Sequence, residues 1–268
     1  IAQCLVGSEM CIRDSSYAWM IIFAVIAAIM VLIGLYHIRM LPSNQIPSTT
    51  KKTTSEVGRE LVAVIANFFT KKHIFYYICF IILYRLAEGF IMKIAPLFLR
   101  ASREVGGLGL SLKEIGTLNG VFGSAAFVLG SLLAGIYVSK FGLKRTLFTL
   151  CCIFNLPFVA YTFLAVTQPT NVYLIGTCIT MEYFGYGFGF VGLTLFMMQQ
   201  IAPGKHQMSH YAFASGIMNL GVMLPGMVSG YFSDLLGYRN FFIYVLIATI
   251  PAFLITYFIP FTYDDSKK

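Results

Sequence analysis

The sequence predicts an all-α, polytopic membrane helical bundle. Its 268 residues are 58% hydrophobic and 11% charged, with a mean hydropathy of +0.78, and a soluble domain needs far more polar surface than that. Seven apolar runs, at 17–35, 74–99, 115–138, 146–166, 172–198, 211–232 and 241–261, approach or exceed the ~20 residues that cross a ~30 Å hydrocarbon core. These runs are too long and too continuously apolar for the alternating strands of a barrel, so helices are expected.

Basic residues orient the bundle. The loop after the first run carries Arg39, Lys51, Lys52, Arg59, Lys71 and Lys72; later loops on that side carry Lys140, Lys144, Arg145 and Lys205, and the tail Lys267 and Lys268. These twelve stand against four on the opposite side, Arg100, Arg103, Lys113 and Arg239. The richer side, with the C-terminus, is therefore expected to be cytoplasmic. The net charge of +8 records this bias and not a nucleic-acid partner. Cys79, Cys151, Cys152 and Cys178 lie within the runs, which argues against a disulfide framework.

Residues 4–15 read CLVGSEMCIRDS. This string resembles a translated sequencing adapter, so residues 1–15 are set aside as a non-native segment. Residues 42–72 form the only long polar stretch, with Pro42, Pro47 and a Ser/Thr run. It reads as a cytoplasmic linker, with an amphipathic helix near 56–69 lying on the inner leaflet. Every later connection is short, which isolates a six-helix unit at 73–268 from one leading helix at 16–41.

That unit contains a repeat. Gly135–Gly142 (GIYVSKFG) closes its second helix and Gly230–Gly237 (GYFSDLLG) its fifth, 95 residues later; Glu88 and Glu182 lie 94 apart, as do Pro157 and Pro251. An offset of three helices reverses direction, so the triplets are expected to be related by inverted topology, as in secondary transporters. Small-residue pairs, Gly116/Gly120, Gly130/Ala134 and Gly226/Gly230, are expected at close helix crossings. The denser series Gly185, Gly187, Gly189 and Gly192 is expected to leave room for a ligand or a bend.

The chemistry-bearing residues are few. Arg85, Glu88 and Lys93 interrupt the second run, where a charge at the bilayer centre costs ~2.5–3.5 kcal/mol. At about 100° per residue, Glu88 falls about 60° to one side of Arg85 and Lys93 about 80° to the other. All three are thus expected on one face turned into a polar solute pathway, with Arg85 and Lys93 holding an anionic group. Glu88 is expected as counter-ion or proton acceptor, since a carboxylate in a low dielectric binds protons more readily than in water. Glu182 is the second proton-coupling candidate, on one face with Cys178, Tyr186 and Gln200. Tyr186, Asn119 and Asn219 are candidate solute-lining residues. His206 and His210 are expected to be solvated. No phosphate-binding loop, HExxH or Cys/His cluster is present, so neither catalytic residues nor metal nor cofactor are expected, and the chain does not read as an enzyme. A seven-helix photoreceptor is also disfavoured, because it needs a Schiff-base lysine late in the bundle.

The string GIYVSKFGLKR, with Gly135, Ser139, Lys140, Gly142, Lys144 and Arg145, resembles the cytoplasmic loop signature of the major facilitator superfamily. Ser139 stands where an Asp is usual, so no gating salt bridge is assigned to it. YRLAEGFIMKIAPLFL at 84–99, GGLGLS at 106–111, EYFGYGFGF at 182–190, and LPGMVSGY with LGYRNFF across 224–242 resemble AmpG-like permeases. The resemblance implies helices six to twelve of a twelve-helix, proton-coupled importer. It further implies cell-wall muropeptides as solute, the bacterial inner membrane as location, and a missing N-terminal half as partner. Alternatives are a carrier of another anion, such as an acyl-coenzyme A or sugar acid, and a non-transporting assembly or sensory protein.

Overall fold

The computed structural model describes residues 2–40 and 54–263; the prolines of the expected linker, Lys51, Lys52, Lys267 and Lys268 lie outside them. The chain divides into two compact units, 1–53 and 54–268. The first holds one helix, α1 (Ala2–Met40), whose described side chains are almost all exposed and whose 19–40 stretch is long and apolar enough to span a membrane.

The second unit is all helix among its described residues, apart from turns. It begins with α2 (Thr54–Phe69), the amphipathic segment read near 56–69. Phe68 at its end is fully buried and packs edge-on to Phe213. Lys71, just beyond, donates to the carbonyls of Ile201 and Pro203, and burial lowers its ammonium below the usual lysine range. Next come α3 (Ile74–Tyr84) and α4 (Leu86–Arg100), two halves of one expected span, broken at Arg85 (φ −104°, ψ 7°). After a 3₁₀ turn (Arg103–Val105), the glycine-rich GGLGLS segment folds back on the end of α4. Gly106 and Gly109 take positive φ there, and the amides of Leu108 and Leu110 donate to Phe98 and Leu99.

Ser111 then starts α5 (Leu112–Thr117) with a capping box, its hydroxyl accepting from the Glu114 amide while the Glu114 carboxylate accepts from its own. A π-helical turn (Leu118–Gly123) joins α5 to α6 (Ser124–Phe141). The fourth expected span splits into α7 (Leu143–Asn155) and α8 (Phe158–Thr167) at Pro157. Asn171 caps α9 (Val172–Phe196), which ends in a second π-helical turn (Met197–Ile201). α10 (Gln207–Ala248) bends at Gly237, so it supplies the sixth expected span and most of the seventh, which α11 (Ile250–Phe258) completes.

Five helical segments, α1 included, are long and apolar enough to cross a membrane, and the 52-residue one holds two expected spans. Among the described residues, α9, diluted by Glu182, glycines and tyrosines, is the expected span that falls outside that set.

The repeat landmarks recur as backbone events. Gly142 (φ 77°, ψ 149°) and Gly237 (φ 70°, ψ 160°) turn the chain in nearly the same conformation, one that only glycine adopts without strain. Pro157 and Pro251 each follow a break in the third helix of their triplet. The two most extensive helix pairings are α6 with α9 and α10 with α4. The second helix of each triplet thus packs on the first helix of the other.

These pairings depend on missing side chains. A Cβ on Gly130 would stand 2.3 Å from the Phe184 carbonyl oxygen, one on Gly187 2.1 Å from that of Phe127, and one on Gly89 2.4 Å from Pro225. Gly185 and Gly189 are equally tight against Ile153 and Phe154. The glycine series of α9 is therefore consumed by helix packing and leaves no ligand space, contrary to expectation. Gly116, Gly120 and Gly230 meet nothing within 4 Å, so the spacing motif overstated close crossings at those positions.

Two cores fill the unit, one around Tyr77, Phe80, Tyr84, Phe154 and Phe196, the other around Phe90, Phe98, Tyr161, Phe241 and Phe242. Gly187→Ala is expected to cost about 1–3 kcal/mol, the usual overpacking penalty, visible as a lower Tm of the detergent-solubilised protein. Gly216→Ala, with nothing within 4 Å, should leave Tm unchanged or slightly raised.

Candidate functional site

The break at Arg85 sits between the two cores, with Tyr84 in one and Ala87 in the other. Tyr84 anchors the end of α3 by donating to the Gly189 carbonyl of α9 at 2.9 Å. Freed from helical phase, Arg85 forks onto Glu88: Nε to Oε2 at 2.6 Å and Nη2 to Oε1 at 2.5 Å. Both residues are buried, at 4% and 6% exposure. The guanidinium also lies 5.3 Å from the Phe190 ring centroid and 3.5 Å from the Tyr186 hydroxyl, and its face meets the ring's negative quadrupole. Glu88 is thereby neutralised at both oxygens. Arg85 directs Nε and Nη2 to that carboxylate.

Beside the pair lies a cavity of about 120 Å³, lined from α4 by Glu88, Met92 and Pro96, from the π-turn by Asn119, from α8 by Tyr161, and from α9 by Glu182, Tyr183 and Tyr186. Four of the residues singled out in the sequence, Glu88, Glu182, Asn119 and Tyr186, are thus brought together from three segments. Glu182 makes no hydrogen bond or ion pair among the described residues. The Asn119 Oδ1 is buried without a donor. Gly123 brings the π-turn against the Tyr183 ring, where an added Cβ would stand 2.9 Å from the nearest ring atoms.

Lys93 and Asn219 are not brought to this cavity. Both are exposed, and the Lys93 stem lies against Gly226 of α10. Five residues of helix turn Lys93 about 140° from Glu88, too far for one narrow cavity. Gln200, expected on the Glu182 face, instead holds the end of the chain, accepting from the amides of Thr262 and Tyr263 and donating to the Tyr263 carbonyl. His210, expected to be solvated, is 1% exposed because α2 covers it, with Nε2 3.3 Å from the Val64 carbonyl. In the loop motif, Gly142 ends α6, Thr146 bonds its carbonyl and Ser139 bonds that of Ile136, while Lys140, Lys144 and Arg145 are exposed beyond Gly135. Tyr161, Tyr183 and Phe190 were missed as site residues, because an aromatic in an apolar run carries no mark of which neighbours it meets.

No family model matches the chain. It is 23% identical over 209 residues to the anhydromuropeptide permease of Escherichia coli (strain K12), covering 78% of this chain and 41% of that protein. It is 25% identical over 238 residues to a protein of Rickettsia bellii (strain RML369-C) that carries the name transporter AmpG 1, covering 87% and 56%. Against transporter AmpG 2 of Rickettsia prowazekii (strain Madrid E) the figures are 27% over 204 residues, covering 74% and 47%. The chain is thus similar in sequence to proteins named as permease or AmpG transporter. It spans about half the length of the curated relatives it matches.

The buried fork dictates the cost of single substitutions. Arg85→Ala strands the Glu88 charge and is expected to destabilise by about 3–5 kcal/mol, whereas Arg85→Met with Glu88→Leu together should cost less than either alone. A double-mutant cycle read by thermal unfolding checks this.

Proposed function

We propose that the chain is the C-terminal portion of a proton-coupled importer of cell-wall muropeptides in the bacterial inner membrane. In this reading the rest of the transporter packs on the exposed apolar faces, the C-terminus is cytoplasmic, and the bilayer surrounds the bundle. The observation that carries it is the polar cavity between α4, the π-turn and α9, set inside an apolar bundle whose sequence resembles proteins named as permeases. A carboxylate with no counter-charge is an expensive feature in a membrane helix, and ion pathways are where such residues occur.

The roles divide accordingly. Glu182 takes up and releases the coupling proton, since it lacks a basic partner. Glu88, held by Arg85, shares the cavity and sets the field there. Tyr186 and Asn119 provide polar contacts along the pathway. Lys93 and Asn219, exposed on the two helices of the α4–α10 pair, meet the solute where the two halves of the transporter face each other, and Lys93 is the cation free to attract an anionic group. The loop from Gly135 to Arg145, with Ser139, Lys140, Gly142 and Lys144, forms the cytoplasmic turn between α6 and α7 and contributes to gating.

Uptake into energised vesicles carrying the full-length protein tests this. Glu182→Gln should abolish accumulation driven by a proton gradient, and Glu88→Gln should abolish it by unbalancing Arg85. Undiminished accumulation in both variants would remove the carboxylates from coupling. Competition by anhydro-muropeptides against acyl-coenzyme A or sugar acids identifies the solute.

A further inference from the structure

The cavity beside Glu88 holds two acceptors that receive no hydrogen bond among the described residues. Glu88 has both oxygens bound by Arg85. The Asn119 Oδ1 is buried and receives no hydrogen bond, and Glu182 on the facing helix has no donor among the described residues. The ionised form of Glu182 therefore leaves a charged acceptor and an amide acceptor lining one cavity. Unsatisfied buried acceptors are costly. Protonation resolves the mismatch, because a carboxyl O–H is a donor and Asn119 Oδ1 is the acceptor waiting for it. A polar cavity of about 120 Å³ admits water, so the bond forms directly or through a bridging water.

The local backbone serves the same end. Asn119 lies in a π-helical turn, Leu118–Gly123, inside an otherwise α-helical span. Such turns widen the helix by one residue and recur at functional sites. Gly123 admits the turn onto the Tyr183 ring, and Tyr183 is the neighbour of Glu182 in sequence.

We propose that Asn119 is the positioning residue for the proton carried by Glu182, its Oδ1 accepting the hydrogen bond of the protonated carboxyl. This deepens the carrier reading above and rests on it for its physiological meaning. Water in the cavity delivers the proton to a Glu182 oxygen and water removes it; one O–H bond forms and later breaks, and nothing else is exchanged. The titratable groups around Glu182 are Glu88, clamped by Arg85, from α4; Tyr161 from α8; and Cys178, Tyr183 and Tyr186 from α9 itself. None of these is a basic group free to take the place of the proton.

Two substitutions of opposite sign test it in the full-length protein. Asn119→Ala removes the acceptor and leaves room for water, so the midpoint of the pH dependence of uptake should move about one pH unit toward acid, a tenfold weaker hold on the proton. Asn119→Asp adds a second carboxyl that shares the proton, and the midpoint should move toward alkali. Asn119→Ser, which keeps an oxygen acceptor, should restore the wild-type midpoint. Infrared titration of the purified protein gives a second readout that needs no transport. The carboxylic C=O band abolished by Glu182→Gln should titrate with the same two displacements. If that band titrates identically in the Ala, Asp and wild-type proteins, the inference is overturned although uptake persists. If the wild-type protein shows no proton-driven uptake while the band still shifts as expected, the carrier reading fails and the pairing of Asn119 with Glu182 stands. Should Asn119→Ala not reach the membrane, Asn119→Asp, nearly identical in shape, carries the test. Uptake driven equally by a sodium gradient at constant pH would also overturn it, since the cavity would then hold a metal cation.

Discussion

The bidentate pairing of Arg85 with Glu88 is the constraint on which the rest of the site depends. Inside an apolar bundle a guanidinium and a carboxylate are stable only when each satisfies the other. Here a break in the helix lets Arg85 reach a residue three positions on. That break ends α3 against α9 through Tyr84 and starts α4 against α10 through Gly89, so it also directs the two helix halves to different neighbours. Once Glu88 is neutralised, the polar balance of the cavity shifts to Glu182 and Asn119, whose acceptor oxygens receive no hydrogen bond among the described residues.

Close backbone approach is the second organising force. Apolar side chains gain nothing by leaving lipid for one another, so the helices associate where glycine lets backbones touch. α9 is the extreme case. Gly185 and Gly189 admit α7, Gly187 admits α6, and the tyrosines between them reach the cavity. The exchange of partners between the triplets, α6 on α9 and α10 on α4, repeats this device twice. It also explains why the same kink recurs at Gly142 and Gly237: each closes the second helix of a triplet so that the third can return along it.

Much of this was legible in the residues. Run lengths located the helical segments, and the offsets of 94 and 95 residues marked the glycine turns, the prolines and two carboxylates that line one cavity. Glu88, Glu182, Asn119 and Tyr186 were each visible as polar residues in apolar runs, and all four line one cavity. Lys93 lies outside that cavity because a face 140° wide is broader than one narrow cavity can take in. His210 misled because a short polar segment reads as solvated unless the helix that covers it, α2, is known to fold over it.

Composition and periodicity by themselves determined that this chain is a bundle of apolar helices, where those helices turn, and which few polar groups they must accommodate, because these follow from transfer energies and local backbone preferences. Only the tertiary structure decided which of those groups meet. The breaks at Arg85, Pro157 and Thr249 and the π-turn at Leu118–Gly123 reset helical phase. A phase shift of one residue rotates a side chain by about 100°, enough to turn it from lipid into a cavity, and its consequence depends on a neighbour distant in the chain.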